Sequence, residues 1–133
     1  MSDIIETDDY WIVDCTFIFK PTFNKPIDKY VKLIVKCNKL LFGNYKDVMH
    51  ILKYNNDWSE NGQKYWIGAK FNQPFGNSLK KLSNLKILNL GHSFNQPLSN
   101  SLDNLINLKE IYFSISFNQM LGNSLENLTA LVM

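Results

Sequence analysis

The sequence predicts an α/β repeat fold: a right-handed solenoid with a parallel sheet on one face and short turns, 3₁₀ or α pieces on the other. Three observations predict this fold. A 23-residue pattern recurs, every copy holds leucines three residues apart, and every copy includes a short alternating apolar segment. Self-similarity at a fixed period is typical of repeat architectures, because each unit buries its apolar face only by stacking on its neighbours. Parallel crossovers are almost always right-handed.

The clearest repeated motif is Phe-Asn-Gln-Pro, which begins at Phe71 and Phe94 and recurs as Phe-Asn-Gln-Met at Phe117. Asn-Ser-Leu and a Leu ladder follow each copy. The ladders are Leu79, Leu82 and Leu85; Leu102, Leu105 and Leu108; and Leu125, Leu128 and Leu131. Leucines three apart suit a 3₁₀ or short α turn. We expect the Phe residues to form a row in the core. We expect the following Asn residues to form a ladder that satisfies backbone groups at the turn.

The amino-terminal half keeps the same frame in a degenerate form. Phe23 opens a Phe-Asn-Lys-Pro variant, and the ladder offsets then fall on Val31, Ile34 and Cys37. Cys37 is therefore predicted to be a buried core residue, because Cys packs as a small hydrophobe. Tyr45 is expected to take the place of the Phe in the next unit.

Five alternating triplets are predicted to be strands that pair in sequence order. Their outer residues are apolar and should face the core, because side chains alternate along a strand. Their spacing follows the repeat period, except that the interval between the second and the third is slightly longer. The triplets are Phe17–Phe19, Leu40–Phe42, Tyr65–Ile67, Leu88–Leu90 and Ile111–Phe113. Residues 1–133 are predicted to form one domain, with an acidic lead-in over 1–13, degenerate repeats over 14–62 and regular repeats over 63–133.

The spacing of Leu85, Leu88 and Leu90 resembles the leucine-rich repeat. The Phe-Asn-Gln-Pro that follows, at Phe94, resembles the FNIP repeat, a leucine-rich-repeat-like family found mainly in social amoebae and giant DNA viruses. The strong likeness covers residues 63–133. Some members carry an F-box before the repeats, but the first triplet begins at Phe17, so we do not expect an F-box here.

Composition and motifs argue against catalysis, cofactors and metals. His50 and His92 stand alone, and no paired-Cys, phosphate-loop or nucleophile motif is present, so we predict no enzyme and no catalytic, cofactor or metal site. A net charge of +2 with 14 Lys and no Arg disfavours specific nucleic-acid binding. Eight lysines between Lys20 and Lys53 leave a weak anionic-surface contact open, but a solvated face is the simpler interpretation.

The sequence also indicates where the protein is located. The acidic start does not fit a secretory signal, and no apolar run reaches membrane-spanning length. An intracellular, cytoplasm-like location without membrane contact is therefore expected. For a viral source, the resemblance implies the host cytoplasm.

The predicted function is a non-catalytic protein–protein interaction module that uses the concave sheet face, as extended repeat proteins do. The middle residues of the triplets should point outward there, together with residues at the preceding outward positions. The middle residues are Ile18, Leu41, Trp66, Asn89 and Tyr112, and the preceding outward positions are Thr16, Lys39, Lys64, Ile87 and Glu110. All of these except Thr16 are candidate partner-binding residues. The alternative is a structural or vestigial, truncated repeat protein without a discrete partner. The sequence stops before a further strand, so Ile111–Phe113 is expected to be an edge through which copies could self-associate.

Overall fold

The computed structural model describes residues 4–43 and 69–131. These residues form one open six-stranded sheet, in which the strands lie side by side in sequence order, with few helices. The strands are β1 (Ile5–Glu6), β2 (Tyr10–Val13), β3 (Thr16–Phe19), β4 (Lys39–Phe42), β5 (Ile87–Asn89) and β6 (Glu110–Tyr112). One turn of α-helix, α1 (Val31–Ile34), and two 3₁₀ helices (Asp28–Tyr30 and Ser78–Lys81) lie in the connections.

The parallel part of the sheet contains four strands, β3 to β6. Phe17 pairs with Leu40, Leu40 with Leu88, and Leu88 with Ile111. Each pair joins corresponding residues of the predicted triplets. The parallel prediction is therefore confirmed for these four strands.

The prediction of an entirely parallel sheet is wrong at the amino-terminal end. β1 pairs antiparallel with β2, and β2 pairs antiparallel with β3. Asp14 and Cys15 connect β2 to β3 with φ values of 48° and 64°. Two successive residues with positive φ are typical of the type I′ turn, which joins antiparallel strands and cannot join parallel ones. Both β1 and β2 lie in the acidic lead-in.

The predicted strand order is also corrected between β4 and β5. These two strands are hydrogen-bonded neighbours, with Leu40 opposite Leu88. The Tyr65–Ile67 triplet was expected between them, and it lies outside the described residues. Leu40 and Leu88 are separated in the chain by slightly more than two repeat periods. The repeat period therefore does not predict that these two strands are neighbours. The connection between them is much longer than one repeat.

The Leu ladders form backbone turns with three-residue spacing. Leu105 N–H donates to the Leu102 carbonyl at 3.0 Å, and Leu108 N–H donates to the Leu105 carbonyl at 3.0 Å. Leu79 to Leu85 and Leu125 to Leu131 repeat this geometry. Since side chains at i and i+3 eclipse in a 3₁₀ turn, the leucines of one ladder point the same way into the core. This confirms the predicted turn.

A row of stacked phenylalanine rings runs through the core. Neighbouring ring centroids lie 6.1 Å apart for Phe23 and Phe71, 5.9 Å for Phe71 and Phe94, and 6.2 Å for Phe94 and Phe117. The predicted Phe row is confirmed for these four residues, with Phe23 directly on Phe71. Tyr45 lies outside the described residues.

Cys37 is buried in the same core, as predicted. Burial, with a smaller contribution from Cys15, raises the pKa of the Cys37 thiol above its ordinary value. A raised pKa keeps the group protonated at neutral pH, which fits a packing role and not a nucleophilic one.

The predicted asparagine ladder is present beside the Phe row. The backbone N–H of Asn72 donates to Asn24 Oδ1 at 2.9 Å, that of Asn95 to Asn72 Oδ1 at 2.8 Å, and that of Asn118 to Asn95 Oδ1 at 2.8 Å. Gln119 Nε2 donates to the same Asn95 Oδ1 at 3.0 Å, and the preceding units repeat this bond. The side chains of Asn24, Asn72 and Asn95 thus each accept two hydrogen bonds from the unit that follows.

We predict that Asn95→Ala lowers the free energy of unfolding by about 1–2 kcal/mol, because Asn118 N–H loses its acceptor and Gln119 Nε2 keeps only its 3.3 Å bond to the Asn95 carbonyl. Urea denaturation monitored by circular dichroism measures this change. Asn118→Ala is the matched control, because it keeps its backbone N–H and its side chain accepts no hydrogen bond among the described residues. The control should cost less than about 0.5 kcal/mol. Equal losses for the two variants would contradict a directional ladder.

Candidate sheet-face binding site

The candidate site is the sheet face opposite the core, and the strand register divides it into two rows. Residues directly opposite each other share a face, because side chains alternate along each strand. The first row is Glu6, Trp11, Ile18, Leu41, Asn89 and Tyr112. The second row is Val13, Thr16, Lys39, Ile87 and Glu110. Both rows contain residues predicted to bind a partner.

The end of this face over β2 and β3 is closed to solvent. Ile18 and Trp11 are fully buried and lie opposite each other, while Thr16 and Val13 are nearly so. The expectation that Ile18 and Thr16 are exposed outward residues is therefore wrong. The repeat pattern predicts β3 without its antiparallel neighbour β2, whose side chains share this face. Ile18 is not part of the accessible surface.

The part of the face over β4, β5 and β6 remains accessible. Lys39 is exposed, and Leu41, Ile87, Asn89 and Glu110 are partly exposed. Tyr112 retains 48% of its accessible surface. It is the most exposed aromatic residue in the described part of the chain. We call this surface the open sheet face, and it consists of Lys39, Leu41, Ile87, Asn89, Glu110 and Tyr112.

Two local hydrogen bonds orient polar groups on the open sheet face. The Tyr112 hydroxyl donates to Glu110 Oε1 on the same strand. This bond, with the nearby negative charge, raises the pKa of Tyr112, so the hydroxyl stays protonated. Asn89 Oδ1 accepts the Gly91 N–H at 2.9 Å. The Tyr112 side chain is therefore anchored through its hydroxyl. Asn89 Oδ1, in contrast, already accepts a hydrogen bond from the turn that follows its own strand.

Two predicted binding residues, Lys64 and Trp66, lie outside the described residues, as does His50. His92 is exposed in a turn that follows β5. Within 4–43 and 69–131, no cluster of His, Cys, Asp and Glu could hold a metal ion. In those same ranges, no helix has the length and apolar character needed to cross a membrane.

Sequence reasoning missed the residues that β2 contributes to this face. Trp11 and Val13 lie beside Ile18 and Thr16, and Lys20 Nζ lies 4.8 Å from the centre of the Trp11 ring. Lys20 also forms a 2.8 Å ion pair with Glu6. The available signal was two β-rich runs separated by two residues, Asp14 and Cys15, which is the spacing of a hairpin. The repeat period contains no such element.

Comparison with known proteins gives no match: neither a family model, nor a curated protein, nor a solved structure is significantly similar to this chain. The sheet register and the exposed side chains therefore carry the functional argument.

Proposed function

We propose that this chain is a leucine-rich-repeat-like, right-handed solenoid of the FNIP type. Four parallel strands in sequence order, the stacked Phe row and the asparagine ladder support this proposal. The short connections with three-residue turns suit the side of the solenoid away from the sheet. The β1–β2 hairpin then closes one end, because it pairs with the outer edge of β3.

Within this architecture, the chain acts as a non-catalytic protein–protein interaction module through the open sheet face. The observation that carries the proposal is Tyr112, which is about half exposed while its hydroxyl donates a hydrogen bond to Glu110. A pre-oriented aromatic side chain loses little rotamer entropy on binding, and Tyr is enriched among residues that dominate interface energies.

The chemistry of the open sheet face indicates the kind of surface that would fit it. Leu41 and Ile87 supply partly exposed apolar area at the centre. Within the open sheet face, Lys39 and Glu110 lie on opposite sides of Ile87 and carry opposite charges. A partner with an apolar centre flanked by one acidic and one basic group would complement this pattern, since complementary rim charges set orientation.

We predict that Tyr112→Ala weakens partner binding about 30-fold, which corresponds to a loss of about 2 kcal/mol at an interface hot spot. The melting temperature should change by less than about 2 °C, because the exposed ring packs little. Affinity capture from the native cells, followed by titration of the recovered partner, measures the effect. Trp66→Ala is expected to act in the same direction.

Ile106→Ala is the matched control, because Ile106 is 54% exposed but lies in the Leu-ladder turn between Leu105 and Asn107. It should leave recovery unchanged. If Tyr112→Ala and Ile106→Ala recover the same proteins in the same amounts, the open sheet face is not the binding surface. If the unsubstituted chain recovers no protein above background, the structural or vestigial interpretation without a discrete partner is preferred.

A further inference from the structure

The two cysteines of the chain lie on neighbouring segments at the amino ends of β3 and β4. Cys15 is the exposed second residue of the turn between β2 and β3. Cys37 is buried in the connection just before β4. They are separated in the sequence by about one repeat, so the parallel pairing of β3 with β4 brings them together. The sequence contains no other cysteine.

Backbone hydrogen bonds limit the distance between these two residues. The Cys15 carbonyl accepts Asn38 N–H at 2.9 Å and Lys39 N–H at 3.3 Å. Because the Asn38 nitrogen is bonded to the Cys37 carbonyl carbon, standard bond lengths place the Cα atoms of Cys15 and Cys37 within about 7 Å of each other. Disulfides join cysteines whose Cα atoms lie about 4.4–6.8 Å apart. The backbone therefore allows a disulfide between Cys15 and Cys37.

The electrostatics of the two thiols agree with this short distance. Burial raises the pKa of the Cys37 thiol, and Cys15 adds a smaller contribution, which requires the two groups to lie near each other. Their access to solvent differs, because Cys15 is exposed whereas Cys37 retains only 5% of its accessible surface. We propose that Cys15 and Cys37 form a disulfide under oxidising conditions, which fastens the β2–β3 turn to the connection before β4.

The oxidant in this proposal is a small-molecule disulfide, for which oxidised glutathione is the probe. The Cys15 thiolate attacks one sulfur of the probe, breaks its disulfide and releases one reduced glutathione. Cys37 then loses its proton to water, attacks the Cys15 sulfur and releases the second glutathione. Two protein thiols are thus oxidised to one disulfide, while one glutathione disulfide is reduced to two thiols. Burial keeps Cys37 from reagents in solution, but proximity favours its attack on the adjacent Cys15 sulfur.

The disulfide would act as a reversible fastening of the amino-terminal end of the sheet. It closes a loop of about 20 residues, and a cross-link of this kind restricts the unfolded chain more than the folded one. The oxidised protein is therefore more stable than the reduced protein. In a reducing compartment both thiols stay free, so the bond forms only when the surroundings become oxidising.

The experiment incubates the full chain with oxidised glutathione at about 1 mM and measures free thiols and intact mass. Both thiols should disappear, and the mass of the monomer should fall by about 2 Da. Tryptic mapping without reductant should join the peptide that contains Cys15 to the one that contains Cys37. The melting temperature should rise by about 5 °C or more and return to its starting value after reduction with dithiothreitol.

Two variants separate the steps of the reaction. Cys37→Ala keeps the exposed thiol and should stop as a mixed disulfide at Cys15, with a mass gain of about 305 Da. Cys15→Ser removes only an exposed thiol, and its Cys37 should stay reduced because burial excludes the probe.

Several results would overturn the proposal. They are a parent protein that stops as a mixed disulfide at Cys15, a disulfide that joins two copies of the chain, and two thiols that do not react. An internal disulfide without a rise in melting temperature would overturn the fastening role. These measurements need no binding partner, so their outcome is independent of the function proposed for the open sheet face.

Discussion

Phe94→Ala is expected to lower the free energy of unfolding by about 4 kcal/mol. Phe94 is fully buried and lies in the middle of the aromatic row, with Phe71 on one side and Phe117 on the other. Truncation of a buried Phe typically costs about 3–5 kcal/mol, because lost apolar burial adds to the cavity left behind. Two parallel ring contacts are lost at the same time. Urea denaturation followed by far-ultraviolet circular dichroism measures the loss.

The control for this prediction is Phe117→Ala, one repeat further along. Phe117 stacks on Phe94 and contacts Phe113, but it is only half-buried. We expect a loss of about 2 kcal/mol, since less apolar area leaves water on folding. Equal costs at the two positions would contradict the difference in burial between Phe94 and Phe117.

Gly91→Ala is expected to destabilise the protein by about 3 kcal/mol. Gly91 has a φ of +84°, a conformation that costs a residue with a side chain about 1–2 kcal/mol. Its Cβ would lie 2.6 Å from the Phe42 carbonyl oxygen and 3.1 Å from Ala69 Cβ. Backbone must move to relieve such a contact, and overpacking typically costs about 1–3 kcal/mol more. Thermal and urea unfolding measure the combined effect.

This second prediction also tests whether β4 and β5 are adjacent strands in the sheet. The clash arises only because Phe42, at the end of β4, lies beside the turn after β5. Gly122→Ala is the matched control, with a φ of +51° and no atom within 4 Å of the added Cβ. It should cost about 1 kcal/mol from backbone strain alone. If Gly91→Ala costs no more than Gly122→Ala, β4 and β5 are not adjacent.

Much of the repeat core could be predicted from the sequence, because in this chain a repeated residue contacts its own counterpart. Phe71, Phe94 and Phe117 stack as the period indicates, and Asn72 and Asn95 bond to the units that follow them. The candidate site was predicted less well. Tyr112 is an exposed aromatic residue as expected, whereas Ile18 is fully buried and lies opposite Trp11 of the unpredicted strand β2.

By itself, the sequence determined the identical rows: the stacked Phe rings, the Asn ladder and the three-residue Leu turns. For these features, residues that lie one repeat apart in the sequence are also in contact in the structure, because each feature depends only on a unit and its immediate neighbour. Tertiary structure alone decided the β1–β2 hairpin, the pairing of β4 with β5 across the long connection between them, and the part of the sheet face that stays accessible. These features join segments that are not related by the repeat. They are decided by packing between segments of different sequence, and no local sequence pattern indicates that packing.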